Sequence, residues 1–96
     1  MVKFKYRLPY GRQRLMKDWI KALRSGNYVQ CKFLTLSYDD KSCAIGVLGS
    51  VACDVPGDGY DVCKEFLKIP YHLVCNRNDM DQSFSQIADW LERDYL

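Results

Sequence analysis

Five cysteines are the first residues to weigh for chemistry, because a thiolate can serve as nucleophile, redox centre or metal ligand. Cys31, Cys43, Cys53, Cys63 and Cys75 follow one another at intervals of 12, 10, 10 and 12 residues, with no C-x-x-C pair and one histidine, His72. Structural zinc sites usually draw two ligands from one turn, which needs close pairs, and this spacing lacks them. A Cys-His catalytic pair needs a thiolate held against the imidazole, and no cysteine lies in a nucleophile motif. The odd count, in a chain with no apolar export segment at its start, argues against a disulfide framework. The expectation is reduced thiols buried as small apolar side chains, with no metal and no cofactor.

The carboxylates are no closer to a catalytic constellation. Asp39 with Asp40, Asp58 with Asp61, and Asp79 with Asp81 fall at turns or helix starts, where aspartate is an ordinary turn former or cap. The GDG at 57–59 lacks the lysine and serine or threonine of a P-loop, and the strand and further glycine of a dinucleotide fingerprint. No enzyme is expected. A small metal-dependent or thiol-dependent enzyme is the weakest of three functional readings.

The strongest functional signal is charge. The net charge of +2 hides a division: residues 1–25 hold eight basic side chains against Asp18 alone, +7, and residues 26–96 hold six against eleven acidic ones, −5. Lys3, Lys5 and Arg7 alternate with apolar residues, Arg12, Arg14, Lys17, Lys21 and Arg24 follow, and Tyr6 and Tyr10 are interleaved. Clustered cations beside aromatics suit an acidic protein surface or a phosphate backbone with stacked bases. The plainer reading is neutralisation against the acidic remainder of the same molecule or of a second copy.

Those residues need elements to hold them. Residues 2–8 alternate strictly, as a half-buried strand does, and lysine on the outer face suits a sheet edge. Across 12–25, Leu15, Trp19, Ala22 and Leu23 recur at helical spacing and Gly26 marks the stop. Aromatic and β-branched residues over 28–38 predict a strand over about 32–38, with a short return strand near Ser42.

The segment 43–53, CAIGVLGSVAC, is apolar or small throughout, and its length suits about three helical turns buried on all sides. Gly46 and Gly49 would leave room for neighbours, although two glycines keep a strand-turn-strand alternative open. A loop over 54–59 follows. Asp61 is expected to cap a short helix over 62–67, and Pro70 to open a helical turn. Ser83 with Gln86 forms a capping-box signature ahead of the stripe Phe84, Ile87, Ala88 and Leu91. The fold class expected is a small single α+β domain spanning 1–96, with a short antiparallel sheet and three to four helices. No apolar run reaches the roughly 18 residues of a membrane span.

Three blocks, Trp19-x-x-Ala22-Leu23-x-Ser25-Gly26-x-Tyr28-x-Gln30, Cys43-x-x-Gly46-Val47-Leu48, and Asn78-Asp79 followed by Ser83-Phe84-x-x-Ile87-Ala88-Asp89-x-x-Glu92, stand in an order that resembles a family of small tailed-bacteriophage proteins. Members often carry a second cysteine at the position of Ala44, an acidic residue near Ser50, and a small flexible turn at Met80 and Asp81. The basic residues 2–8 lie outside the blocks. The resemblance implies a viral origin and the cytoplasm of an infected bacterium, and it carries no activity and no catalytic residue.

The functional expectation is a phage-encoded, non-enzymatic binding protein that modulates or inhibits a host protein with an acidic surface, a defence or nucleic-acid-handling component among the options. Its face would be Lys3, Lys5, Arg7, Tyr10, Arg12 and Arg14. The alternative is direct nucleic-acid binding through the same residues. Monomer and homodimer both remain open, since a basic edge strand over 2–8 could pair with a second copy.

Overall fold

Apolar side chains at Leu15, Met16, Trp19, Ile20 and Leu23 line one side of the first helix, α1 (Gly11–Arg24), and all five are buried. The computed structural model describes residue 6 and residues 11–31, 37–38, 41–53, 59–80 and 82–96. The basic strand expected over 2–8 lies outside these residues except at Tyr6. Lys21 and Arg24 occupy the last turn of α1, where cations complement the helix dipole. The stop is at Ser25 and Gly26: Ser25 Oγ donates to Ala22 O at 2.6 Å and accepts from Asn27 N at 3.1 Å, and Gly26 takes φ +78°.

The segment without a polar side is a helix, α2 (Ala44–Cys53), with eight of its ten residues buried. Cys43 Sγ accepts from Gly46 N at 3.4 Å, standing where an N-cap oxygen usually does. After 54–58, a single turn α3 (Gly59–Asp61) runs directly into a π-helical segment, Val62–Leu67. Gly59 is where α3 crosses α2 at close range, and a Cβ there would collide with the Ile45 carbonyl. Asp61 is helical (φ −65°, ψ −43°) and makes no side-chain cap, which corrects the expected start at 62. Lys68 ends the segment in the left-handed region, with Ile69 N donating to Cys63 O at 3.0 Å.

Pro70 opens a helix rather than a single turn, α4 (Tyr71–Asp79), with only Val74 and Asn78 buried. The last helix, α5 (Phe84–Tyr95), carries the complete capping box: Gln86 N donates to Ser83 Oγ at 3.2 Å, and Ser83 N to Gln86 Oε1 at 2.8 Å. Phe84, Ile87, Ala88, Trp90 and Leu91 form its buried side, against α1.

The α+β expectation is overturned: the protein is mostly helical. Among the described residues, the buried apolar side chains outside helices are Cys31, Cys43 and Ile69. Sheet pairing among the described residues is limited to two-residue pieces, β1 (Val29–Gln30), β2 (Ser37–Tyr38) and β3 (Lys41–Ser42). β1 runs parallel to β3, and the antiparallel hairpin is reduced to Ser37↔Ser42 and Tyr38↔Lys41. Strands that short bury no sheet face, so the core is assembled from helices alone. No helix among the described residues is long and apolar enough to cross a membrane.

The start of α2 is held from two sides. Trp19 Nε1 of α1 donates to Ala44 O at 3.0 Å. Asn78 Oδ1 of α4 accepts from Ala44 N at 3.1 Å and from Gln30 Nε2 at 3.0 Å. Asn78 Nδ2 donates to Cys31 O at 2.7 Å and reaches Asp79 Oδ1 at 3.4 Å, so a side chain only 1% exposed uses its whole hydrogen-bonding capacity. Asn78→Ala strands the Ala44 N–H away from water, at about 1–3 kcal/mol, and removes the hydrogen bond to the Cys31 carbonyl, at about 1 kcal/mol more. We expect a total loss of roughly 2–4 kcal/mol, read as a lower urea midpoint with unchanged slope.

Candidate functional site

Helical spacing sorts the basic residues of α1 into two groups. Positions 14, 17 and 21 (i, i+3, i+7) share one side, opposite the stripe of Leu15, Trp19 and Leu23, so Arg14, Lys17 and Lys21 project outward as an exposed ridge. Among the described residues none of the three forms an ion pair. Asp18 lies along the same ridge and accepts from the Tyr6 hydroxyl at 2.6 Å.

The other two cations of this helix are engaged inside the molecule. Arg12 is half-buried and its Nε donates to Leu67 O at 3.0 Å, holding the end of the π-helical segment. Arg24 bridges to α5, with Nη2 2.6 Å from Asp89 Oδ1 and Nη1 3.0 Å from Glu92 Oε2. These carboxylates hold the Arg24 guanidinium above its ordinary pKa through hydrogen bonds, first Glu92 and then Asp89. The pairs are exposed, so each contributes about 0–1 kcal/mol, and their main effect is to set how α5 lies on α1.

Of the expected binding residues, Lys3, Lys5, Arg7 and Tyr10 lie outside the described residues, Arg12 turns inward, and Arg14 stands on the ridge. Lys17 and Lys21 were not among them. Their signal is in the chain all the same, as the polar half of the α1 helical pattern.

A groove of about 540 Å³ runs between α1 and α5, with Lys17, Ile20, Lys21 and Arg24 on one wall and Glu92 and Leu96 on the other. A second hollow of about 330 Å³ lies across the ridge, bounded by Tyr6, Asp18, Tyr28 and Val51. Lys21 and Ser25 border both.

The thiols give a different picture. Cys43, Cys63 and Cys75 are free, and Cys75 is the one partly open to solvent. Burial raises the pKa of Cys43, and pushes Cys63 up to about 12. Cys63 Sγ donates to Ile69 O at 3.3 Å. Burial also raises Cys75, against a hydrogen bond with the Tyr60 side chain that pulls the other way. Protonated thiols are poor nucleophiles and poor ligands. Among the described residues no three His, Cys, Asp or Glu side chains gather as a metal-ligand set. His72 is exposed on α4, its ring centroid 6.4 Å from that of Tyr71.

Two measurements follow from this geometry. In the folded protein a thiol reagent should label Cys75 before Cys43 and Cys63, and Cys75→Ser should remove that early phase. Tyr6 and Tyr60 are both pushed up to about 12, by burial first and then by the Asp18 hydrogen bond for Tyr6 and by the nearby Cys75 and Cys43 thiols for Tyr60. With Cys63, these groups stay neutral in the folded state to higher pH than in the unfolded chain, so the unfolded chain releases protons first. Their stabilisation is fully present below about pH 9 and is lost as pH rises towards about 12. Urea midpoints should therefore fall between about pH 9 and pH 12, and Tyr60→Phe, which cannot ionise, should fall less steeply. Comparison with protein-family models, curated proteins and solved structures returns no match, so the face stands on its own geometry.

Proposed function

We propose that the protein is a non-enzymatic binding protein that presents the cationic ridge of α1 to an acidic surface on a protein partner. The observation that carries this is the contrast within one helix. Arg12 and Arg24 are committed to internal acceptors, whereas Arg14, Lys17 and Lys21 face water with no ion-pair partner among the described residues. Unpaired like charges on a rigid helix raise association rates with an oppositely charged patch and select against basic surfaces. The buried, protonated thiols offer no competing chemistry of equal strength.

The resemblance to small tailed-bacteriophage proteins supports the setting in which such a protein would work. There it would occupy a site on a protein of the infected bacterium and modulate or inhibit it. Lys3, Lys5, Arg7 and Tyr10 belong to the same proposal as a continuation of the cationic surface.

The test is affinity capture from bacterial lysate with the native chain and with a variant carrying Arg14→Glu, Lys17→Glu and Lys21→Glu. All three positions are exposed, so the variant should melt within a few degrees of the parent. The native chain should recover one dominant acidic protein, and the variant should lose it. Capture that survives the triple reversal would remove the ridge from the interface. Tight binding to random duplex DNA that collapses as salt rises would place phosphate backbone, not protein, on this surface.

A further inference from the structure

The groove between α1 and α5 combines two chemistries on facing walls. Leu96, 43% exposed, gives it apolar surface over a floor closed by the buried Ile20, and Lys17 and Lys21 stand exposed along its α1 lip. Glu92 on the opposite wall shares Arg24 with Asp89, one guanidinium against two carboxylates, so the free positive charge of the groove is confined to the lysine lip. Lys21 is at the crest shared with the second hollow, where a ligand lying along α1 would meet it first.

This combination discriminates between classes of polyanion. A nucleic-acid strand would set phosphates against Lys17 and Lys21, but among the described residues no aromatic ring lines the groove for a base to stack on, and Leu96 would stay uncovered. An amphipathic helix matches both walls, because side chains at i and i+4 reach an apolar groove while carboxylates on its flank meet the lip. We infer that the α1–α5 groove docks an acidic amphipathic helix of the protein partner, apolar residues over Ile20 and Leu96, carboxylates on Lys17 and Lys21. This rests on the reading of the ridge as a protein-binding face and adds the form of the ligand.

Three probes separate the possibilities: a synthetic helical peptide with leucines on one side and glutamates flanking them, a scrambled peptide of the same composition, and a short DNA duplex. Each is titrated into the full chain by fluorescence anisotropy, with amide shifts mapped by NMR. The ordered peptide should bind at least about tenfold tighter than the scrambled one, with shifts centred on Ile20, Lys21 and Leu96. Lys21→Glu and Leu96→Asp should each cost it about tenfold or more, and Lys64→Glu, exposed on the π-helical segment and away from the groove lining, much less.

Equal binding of the two peptides overturns the groove and leaves the charged ridge as the interface. Binding of the duplex alone overturns both. A concentration-dependent dimer that Lys21→Glu dissolves would put a second copy in the groove and likewise overturn the proposal.

Discussion

Both backbone groups of Ala44 are spoken for by side chains from other helices, and the arrangement of the molecule depends on it. The indole of Trp19 takes the carbonyl and the amide of Asn78 takes the N–H, so the first residue of α2 is pinned between α1 and α4. A helix as apolar as Ala44–Cys53 has no wet face to orient it, and burial alone would let it rotate or slide. Two directional hydrogen bonds in a low-dielectric interior remove that freedom, because leaving the Trp19 indole N–H or the Ala44 N–H unpaired there costs far more than it would in water. Asn78 extends the same control to the neighbouring chain by holding the Cys31 carbonyl and Gln30, which places β1 beside β3.

Once α1 and α5 are set around that core, the charge layout follows. Among the described residues the acidic remainder of the chain neutralises part of the basic front at Arg24, in a two-carboxylate clasp. Asp89 and Glu92 are three residues apart on α5, one turn, so a single guanidinium fork can reach both. The helix that supplies the guanidinium of the clasp also carries Lys17 and Lys21, which form no ion pair among the described residues, and Arg24 lines the groove between the two helices.

Periodicity made α1 and α5 legible from the residues alone, and the capping box at Ser83 and Gln86 marked one helix start within a residue. The buried character of 43–53 was legible too, although its uniform apolarity said nothing about which neighbours would hold it. The errors have a common physical origin in long-range contacts. Aromatic and β-branched residues around 28–42 read as sheet, yet the pairing of β1 with β3 is parallel and two residues long, a product of the Asn78 network and not of local propensity. The helix α4 buries only Val74 and Asn78, too thin a stripe for a periodic signal, and one of the two is polar. Arg12 looked like a free cation because nothing local shows that the Leu67 carbonyl, 55 residues away, would be its acceptor. Lys17 and Lys21 belonged to the helical pattern and needed only the separation of inward from outward positions.

The π-helical segment Val62–Leu67 carries an implication for how the chain could vary in length. A π turn is a stretch of α-helix accommodating one additional residue, with the flanking backbone left nearly in place. Shortening 62–67 by a single position would rewind it as ordinary helix and keep Pro70 and α4 where they stand. Gly59, fixed by the Ile45 carbonyl, and Val74 and Asn78, fixed by their places in the core, would keep their positions.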